Sequence, residues 1–341
     1  GRERGRLRES GLMDREVGGH MKGREVFLIG GARTAFGRMG GALKHLFGSK
    51  LASIGIRGLV EKTGILERGR IDCVLAGSGF HCSQAQNPAR WAVLDAGLGH
   101  GTSASFVEMQ CGSGIDAINL GAAKILAGMA DVVIAGGFES HSNRFAKSSM
   151  STPAYKLIPP AAIRPQLSPV PEEQLQMGIT AENLAEMYGI SREEQDLFSY
   201  NSQMRCKAAM ERGYFRDGII PVRIPGDRKK AAYDFIEDEH PRTDTTLEGL
   251  ASLKPAFKAN GTVTAGNASG LNDGSAFVLM MSGEKAKDLG YEPSARWVSG
   301  ADVGCDPKIM GIGPAYAIPV ALKRAGLRLS DLDVIECNEA F

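Results

Sequence analysis

The chain has 341 residues, of which 43% are hydrophobic and 23% are charged, and its formal net charge is +1. A charge balance this close to zero argues against a general nucleic-acid or membrane surface. No apolar stretch approaches the roughly 20 residues that a membrane-spanning helix needs. These values predict an ordinary globular chain with room for two or three core-bearing units and with no membrane span.

Six cysteines and six histidines are scattered along the chain. The cysteine spacing contains no CxxC pair, and so few cysteines in a chain of this length do not make a disulfide framework. The histidines form no cluster with metal-ligand spacing. We therefore expect no metal site, and we expect a reducing cytoplasm as the compartment.

Residues 1–20 are charged and lack hydrophobic periodicity, so we expect them to form a disordered extension. Their arginines are compatible with a mitochondrial transit peptide, but such peptides are poor in acidic residues. This segment contains Glu3, Glu9, Asp14 and Glu16. The first strand is predicted at Val26–Ile29, and Met21, shortly before it, is where we expect the folded chain to begin.

One pattern occurs twice in the remainder. An amphipathic helix over 59–66 leads through a polar turn into an apolar strand at Ile71–Leu75, and a helix over 321–327 leads into a strand at Leu332–Ile335. Each helix ends at a glycine, which is a natural C-cap. Two copies of one β-α-β plan predict a duplicated α/β fold with mostly parallel sheets sandwiching helices.

The segment Met109–Ile115 places Cys111 in a polar, glycine-flanked turn before a predicted helix over 115–128. Unpaired N–H groups at a helix start favour negative charge, so a cysteine there ionises more easily than a free thiol. The glycines let a substrate carbonyl approach the backbone, whose N–H groups can hold a developing oxyanion. A buried strand over 131–137 follows. This layout is typical of a covalent acyl-transfer site, and the alternative is that Cys111 is a small buried cysteine.

Residues 142–270 differ in character from the segments on either side. Prolines interrupt 153–171, where neither regular helix nor sheet is expected. Thr180 is the predicted N-cap of one helix, and Ser191 with Glu194 fits the capping-box pattern at the start of the next. From the residues alone, this segment could be a decorative insertion on the sheet edge.

The last residues, Asp331–Phe341, run from a predicted strand into Asn-Glu-Ala-Phe. Together with Cys111 they resemble the thiolase family, whose members make or break a carbon–carbon bond between acyl groups carried on coenzyme A. The resemblance covers nearly everything from Val26 to Phe341. Its further motifs are Gly31–Gly37, Gln86–Arg90, Cys111–Gly114, Met177–Asn183, Lys254–Phe257 and Asn267–Gly274.

The resemblance implies an α/β chain with a thiolase-like duplicated α-β-α-β-α layered fold, a truncated second repeat and an inserted loop domain. The expected divisions are a disordered extension (1–20), an N-terminal thiolase repeat (21–141, with 271–291 returning to it), a loop domain that covers the coenzyme A site (142–270) and the start of an incomplete C-terminal thiolase repeat (292–341).

The resemblance also implies roles for individual residues. Cys111 would be the nucleophile that takes the acyl group as a thioester. Asn338 would position a water against the thioester oxygen and so stabilise an enolate-like charge, although a strand-end cap is the alternative. The residues that would bind coenzyme A and the acyl group are Ser269 at the pantetheine arm, the apolar walls Phe257, Met177, Met310 and Phe341, Arg242 near the adenine end, and Gln176 beside the acyl pocket. Arg242 is equally typical of a solvated surface arginine.

The family has two further catalytic residues downstream of Asn-Glu-Ala-Phe, a histidine in a Gly-His-Pro motif and a cysteine in a Cys-x-Gly motif. Neither motif is present here, because no histidine follows His240 and neither Cys305 nor Cys337 is followed by x-Gly. Cys337 lies in the predicted strand, where we expect it to serve packing. We expect the sequence to be a fragment of a thiolase gene; the alternative is a complete chain that cannot run the full reaction.

The acyl chain length is harder to predict. Acetoacetyl-type thiolases usually carry histidine directly before Met-Gly-x-Thr-Ala-Glu, where this chain has Gln176. That difference and the proline-rich stretch 157–171 favour a 3-ketoacyl-CoA thiolase of the fatty acid β-oxidation type. Against this, Ile179–Asn183 and Asn267–Gly274 resemble the acetyl-transferring group. Two alternatives come from other classes: a decarboxylating condensing enzyme, against which Asn338 argues, and a non-catalytic acyl-CoA- or lipid-binding protein.

The expected partners are acyl-CoA and coenzyme A, the latter as a substrate and not a cofactor, with no nucleic acid. Gln86–Arg90 and Ser103–Val107 resemble segments that build the dimer interface of the family. Since sheet edges there need covering, we expect a homodimer or homotetramer.

Overall fold

The computed structural model describes residues 23–341 except 81, 149–161, 164, 165, 167, 227, 229 and 230. The expected disordered extension and most of the proline-rich stretch lie outside the described residues. The strands of the described part are β1 (Val26–Thr34), β2 (Gly37–Arg38), β3 (Cys73–Gly77), β4 (Ser103–Val107), β5 (Val132–Ser140), β6 (Lys147–Ser148), β7 (Ala162–Ile163), β8 (Ile219–Ile220), β9 (Val222–Ile224), β10 (Tyr233–Phe235), β11 (Asn272–Ser282) and β12 (Ala295–Trp297). The α-helices are α1 (Gly48–Thr63), α2 (Ile65–Arg68), α3 (Pro88–Asp95), α4 (Ser113–Leu126), α5 (Met177–Tyr188), α6 (Arg192–Glu211), α7 (Leu247–Ala251), α8 (Gly283–Asp288) and α9 (Gly313–Ala325).

One central sheet organises the chain, with the strand order β12-β1-β11-β5-β3-β4. The pairs β5/β3 and β3/β4 are parallel, whereas β12/β1, β1/β11 and β11/β5 are antiparallel. The prediction of mostly parallel sheets is therefore wrong for the central sheet, in which three of the five neighbouring pairs are antiparallel. The reason is that β11 returns from a distant part of the sequence and inserts between β1 and β5.

Both faces of the sheet are covered by helices. Along β3, Val74 and Ala76 face a core cluster that includes residues of α1 and α3, while Cys73 and Leu75 face a cluster that includes residues of α4. This alternation is what a strand buried on both faces must show. The result is a helix–sheet–helix sandwich. Because β3, β4 and β5 run parallel, their carboxyl ends meet at one edge of the sheet.

The strand β1 is longer than predicted. It continues from Ile29 to Thr34, so that most of the motif Gly31–Gly37 lies within the strand and not after it. Pairing with β11 extends it, because the register runs on to Arg33 opposite Ala276. Arg33 forms two hydrogen bonds of 2.7 and 2.9 Å with the Asp238 carboxylate. This bidentate pair fastens the segment around 238 to the central sheet.

The two helix–turn units of the predicted repeat differ in outcome. Gly64 and Gly326 both end their helices in the left-handed conformation, with φ of 63° and 67°, as predicted. The second predicted strand, Leu332–Ile335, is not a strand in the structure, and Val334 is 81% exposed. A strand is stabilised by hydrogen bonds to a neighbouring strand, and no segment that the structure describes pairs with these residues.

The helices of the inserted segment begin at slightly different points from those predicted. Thr180 is not an N-cap: α5 starts at Met177, Gln176 occupies the cap position, and the Thr180 hydroxyl donates to the Met177 carbonyl at 2.7 Å. The capping box is confirmed at the start of α6, where Ser191 and Glu194 exchange hydrogen bonds of 3.2 and 2.8 Å. Gln176 has the extended backbone of a cap residue, but its side chain accepts no hydrogen bond from the first turn of α5.

Among the described residues, no helix is both long enough and apolar enough to cross a bilayer. A cavity of about 730 Å³ is lined by α9 together with Leu327, Arg328, Leu329 and Ile335. It contains none of the residues that the sequence predicts for the site.

Candidate active site

The turn that carries Cys111 joins β4 to α4. Cys111 is exposed, and Gly112 is the N-cap of the helix. The Met109 N–H donates to the Ser113 hydroxyl at 2.8 Å, and that hydroxyl donates to the Gln110 carbonyl at 2.6 Å. These bonds connect the turn to Ser113, the first residue of the helix. The alternative that Cys111 is a small buried cysteine is therefore wrong.

The residue before Cys111 adopts an unusual backbone conformation. Gln110 has φ of 48°, a left-handed value that costs about 1–2 kcal/mol for a residue with a side chain. Its N–H and its side-chain amide both donate to the Glu108 carboxylate, at 2.8 and 3.0 Å. Strained positions of this kind persist only where the surroundings hold them. The left-handed backbone of Gln110 sets the direction in which the chain enters Cys111.

Glycines bring the start of α4 against the carboxyl ends of β3 and β5. A Cβ atom added to Gly77 would lie 2.4 Å from the Ser113 carbonyl oxygen, and one added to Gly137 would lie 3.3 Å from the Gly114 Cα. The helix can approach the strands this closely only where side chains are absent. The helix that follows the Cys111 turn therefore rests on direct backbone contacts with Gly77 and Gly137, at the carboxyl ends of the parallel strands.

We predict that Gly77→Ala destabilises the chain by about 1–3 kcal/mol and slows alkylation of Cys111. The new methyl would force the first turn of α4 away from β3. Urea unfolding gives the change in free energy, and peptide mapping after iodoacetamide treatment gives the rate at Cys111. Gly101→Ala is the control, because a Cβ there meets nothing within 4 Å. Equal effects of the two substitutions would contradict the contact.

A second group of predicted residues gathers around the end of the chain. The Ser269 N–H donates to the Ala340 carbonyl at 2.9 Å. The rings of Phe257 and Phe341 meet edge-on with centroids 6.1 Å apart. A Cβ on Gly178 would lie 2.2 Å from the Phe257 ring, so the start of α5 supports that ring directly. Ser269, Phe257 and Phe341 are thus brought together on one surface, beside a shallow cavity of about 450 Å³ lined by residues 254–260.

Met177 and Gln176 lie at the start of α5, next to Gly178, and the Gln176 side chain is exposed. Met310 is half-buried in a short 3-10 helix, Pro307–Ile312, that packs against α5. The Asn183 side chain fastens that short helix by donating to the Lys308 carbonyl at 2.9 Å. Gln176 and Met177 therefore lie at the start of a helix against which the segment that carries Met310 packs.

Asn338 and Arg242 are both exposed. The segment after Asn338 is tied to α6, because the Ser202 hydroxyl donates to the Glu339 carboxylate at 2.5 Å. The next residue of α6, Gln203, accepts the Arg242 backbone N–H at 2.8 Å. Asn338 and Arg242 thus approach the same helix from two sides. The exposure of Arg242 is compatible both with a place near the adenine end and with a solvated surface arginine.

Cys337, which we expected to serve packing, is exposed. The expectation is wrong because it depended on a strand at Leu332–Ile335, and without that strand no layer covers the Cys337 side chain.

The start of β11 connects the two groups. Ser269 lies just before this strand, and Gly274 within it pairs with Glu139 at the carboxyl end of β5. Glu139 in turn accepts the Gly79 N–H at 2.9 Å, and Gly79 packs against the Gln110 backbone. The Ser269 segment and the Cys111 turn therefore lie at the same edge of the central sheet, where loops of α/β proteins commonly form binding sites.

A buried polar network holds the loop that carries Phe257 and Ser269. The Glu182 side chain, 3% exposed, accepts the N–H groups of Thr262 and Val263 and the Thr262 hydroxyl at 2.8–3.0 Å. Asn267 donates to Asp196 at 3.0 Å and accepts the Thr264 N–H at 2.7 Å. These bonds tie the loop to α5 and α6.

No group of three or more His, Cys, Asp or Glu side chains able to hold a metal ion occurs within the part of the chain that the structure describes. All six cysteines are free.

Two family models together match most of the chain. The thiolase N-terminal domain matches residues 26–284, and the thiolase C-terminal domain matches residues 291–341. The chain belongs to the thiolase family. The resemblance inferred from Cys111 and Asn-Glu-Ala-Phe is thereby confirmed. Neither match tests whether the sequence is a fragment of a thiolase gene, and that expectation stays a prediction.

Relatives of known sequence and structure support the same family. The acetyl-CoA acetyltransferase of Pseudomonas aeruginosa is 46% identical over 322 residues, which cover 93% of this chain and 81% of that protein. The crystal structure of the Bacillus anthracis acetyl-CoA acetyltransferase has a TM-score of 0.84 at 40% identity, covering 93% of this chain and 80% of that one. Human mitochondrial 3-ketoacyl-CoA thiolase gives a TM-score of 0.84 at 38% identity, covering 93% and 81%.

The thiolase fold is therefore confirmed, and this chain is an acyltransferase of that family. Sequence reasoning missed three residues that shape the site. Glu139 and Glu182 are the acceptors that hold its loops, and Gln110 is the left-handed residue before the cysteine. A charged residue directly after the apolar run of β5 was a signal for Glu139. Nothing in the sequence indicated the conformation of Gln110.

Proposed function

We propose that this thiolase transfers an acyl group between Cys111 and coenzyme A and so cleaves or forms the carbon–carbon bond of a 3-ketoacyl-CoA. The observation that carries the proposal is an exposed cysteine at the start of α4, on a turn built from glycine contacts. Three of the other five thiols are less suited to attack. Burial raises the pKa of Cys73 and of Cys206. The pKa of Cys82 is raised to about 12, mainly by burial and to a smaller extent by the negative charge of Glu139.

In the cleavage direction, the Cys111 sulfur attacks the 3-keto carbon and the bond between C2 and C3 breaks. The bonding pair leaves as the enolate of acetyl-CoA, and protonation of the enolate carbon gives acetyl-CoA. The acyl group remains on Cys111 as a thioester until the thiolate of a second coenzyme A removes it. Asn338 would hold a water against the enolate oxygen, where a fixed donor stabilises the developing charge.

Coenzyme A is a substrate in this scheme, and no cofactor is needed. We propose that Ser269 binds the pantetheine arm and that Arg242 lies near the adenine end. The apolar walls of the arm and of the acyl pocket would be Phe257, Met177, Met310 and Phe341. The contacts that join Ser269, Phe257 and Phe341 support one continuous binding surface.

Iodoacetamide labelling near neutral pH, read by peptide mapping, tests the nucleophile. We expect Cys111 to be the fastest thiol and acetyl-CoA to protect it. Faster labelling of Cys206 or Cys305, with acyl transfer intact after that modification, would contradict the assignment.

We propose a 3-ketoacyl-CoA thiolase of broad chain length, and the names of the bacterial relatives favour an acetyl-transferring enzyme as the second candidate. Gln176 is the residue that bears on the choice. An imidazole there would narrow the acyl pocket and add a polar contact, whereas glutamine can fold aside. Each extra methylene buried contributes on the order of 0.8 kcal/mol.

We therefore predict that the full-length enzyme cleaves medium-chain 3-ketoacyl-CoAs at least as well as acetoacetyl-CoA and that Gln176→His shifts its preference toward the four-carbon substrate. Thiolysis rates with four-, eight- and twelve-carbon substrates measure this. A steep fall beyond four carbons in the unmodified protein would assign it to the acetoacetyl type.

We also propose a homodimer or homotetramer. The strand β4 is at one end of the central sheet, and Ser103 and Ser105 are exposed along it. The edge strand of a sheet is a template on which a strand of a second chain can pair. Light scattering at micromolar concentration is expected to give at least twice the chain mass, and a stable monomer would contradict the proposal.

We propose a cytoplasmic location, because the six cysteines are unpaired and a reducing compartment keeps them so. Cell fractionation with antibody detection tests it, and recovery with an oxidising compartment would contradict it.

A further inference from the structure

A carboxylate lies directly behind the Cys111 turn. Glu139, half-buried near the end of β5, accepts the Ser78 hydroxyl at 3.0 Å on one oxygen. Its other oxygen accepts the Gly79 N–H at 2.9 Å and the Phe80 N–H at 3.3 Å. The three donors are consecutive, so one side chain fixes the first three residues after β3.

The pKa values of Glu139 and of the neighbouring Cys82 are both shifted from their usual values. Burial raises the pKa of the Glu139 carboxyl, while its hydrogen bonds with Cys82, Ser78, Gly79 and Phe80 act in the opposite direction. Cys82 has a pKa raised to about 12 and therefore keeps its proton, so that its thiol is a fourth donor to the carboxylate. An acceptor with this many donors has the role of a structural anchor.

The loop held by Glu139 contacts the Cys111 turn at two points. The Ser78 N–H donates to the carbonyl of Val107, the last residue of β4, at 3.1 Å. A Cβ on Gly79 would lie 3.2 Å from the carbonyl carbon and oxygen of Gln110, so the two backbones are in contact. Gln110 is the residue with φ of 48°. Glu108 supports it from one side, and the Glu139 loop supports it from the other.

We infer that Glu139 is a positioning residue for the nucleophile: through Gly79 it holds Gln110 in the left-handed conformation that directs Cys111 to the start of α4. Glu139 and Cys111 share no hydrogen bond, and a negative charge near the sulfur would not favour a thiolate. The effect of Glu139 on Cys111 therefore depends on the geometry of its hydrogen bonds and not on its charge. This inference rests on the proposed role of Cys111.

Two substitutions separate geometry from charge. Glu139→Ala removes every acceptor and frees the loop. Glu139→Gln keeps an oxygen facing the Gly79 and Phe80 N–H groups, and its amide nitrogen faces the Ser78 hydroxyl, which can rotate to accept. A positioning role predicts that glutamine preserves what alanine loses.

The measurement is the iodoacetamide rate at Cys111 divided by the rate at Cys337, an exposed thiol in the same chain. We expect Glu139→Ala to lower this ratio about fivefold or more, the order set by the preference of a non-glycine residue against left-handed backbone. Glu139→Gln should stay within about twofold of the unmodified chain. Val222→Ala, which truncates a buried residue of β9 in a separate core cluster, should lower the melting temperature without changing the ratio.

Two further variants probe the path. Gly79→Ala pushes on the Gln110 backbone but keeps the backbone N–H that donates to Glu139, and it should lower the ratio even if Glu139→Ala fails to fold. Gln110→Asn in the Glu139→Ala background should recover part of the loss, because asparagine tolerates left-handed backbone. Such non-additivity is what residues acting through one another show.

An unchanged ratio in Glu139→Ala or in Gly79→Ala overturns the inference, and so does an equal loss in Glu139→Gln and Glu139→Ala, which would assign the effect to charge. An unmodified chain in which Cys111 is not the fastest thiol overturns the proposed function instead, and the positioning role with it.

Discussion

Substitution of Cys111 by serine is expected to lower acyl transfer by at least about a thousandfold. A serine hydroxyl at this position is a far weaker nucleophile than a thiolate near neutral pH, and an ester is a poorer acyl donor to coenzyme A than a thioester. The measurement is acyl exchange between acetyl-CoA and labelled coenzyme A, followed chromatographically.

Cys337→Ser is the matched control, since Cys337 is the other exposed cysteine. It should keep the exchange rate within about twofold, as exposed substitutions outside the site usually do. Full exchange activity in Cys111→Ser would remove the basis for covalent catalysis at this turn.

Substitution of Glu182 by alanine is expected to have the largest effect on stability among the site residues, about 2–4 kcal/mol. The change leaves the N–H groups of Thr262 and Val263 and the Thr262 hydroxyl without their buried acceptor. The loop that carries Phe257 and Ser269 would loosen as a result. Coenzyme A affinity should therefore fall together with the free energy of unfolding.

The matched control is Glu186→Ala, one turn further along α5. Glu186 is exposed, and its ion pair with Lys258 at 3.1 Å is a surface contact. Such pairs contribute about 0–1 kcal/mol, so this variant should remain close to the unmodified chain. Urea unfolding and calorimetric titration with coenzyme A measure both quantities. Similar losses in Glu182→Ala and Glu186→Ala would contradict the network.

The local features of the sequence predicted much of the framework. Glycine at the end of α1 and α9, the capping box at Ser191 and the apolar runs of β3 and β5 each depend on neighbours within a few residues. The motif around Cys111 was recognisable from the chemistry of one short segment, a thiol in a glycine-flanked turn before a helix. Asn338 was recognised only because Asn-Glu-Ala-Phe resembles the thiolase family.

The features that the sequence did not predict depend on distant parts of the chain. The extension of β1 needs β11 as its partner, and the antiparallel pairing of β11 with β5 has no local signal. Leu332–Ile335 has the pattern of a strand, but the pattern alone supplies no pairing. Likewise Glu139 matters through a loop roughly 60 residues earlier in the chain, and a left-handed Gln110 is visible only in three dimensions.

The account depends most on the thioester at Cys111, which mass spectrometry can detect directly. The protein is incubated with acetyl-CoA, quenched in acid and digested, and each of the six cysteine peptides is examined for acetylation. We predict acetyl on the Cys111 peptide alone, removed again by added coenzyme A. Acetyl on another cysteine, or none on Cys111 at saturating acetyl-CoA, would contradict the account.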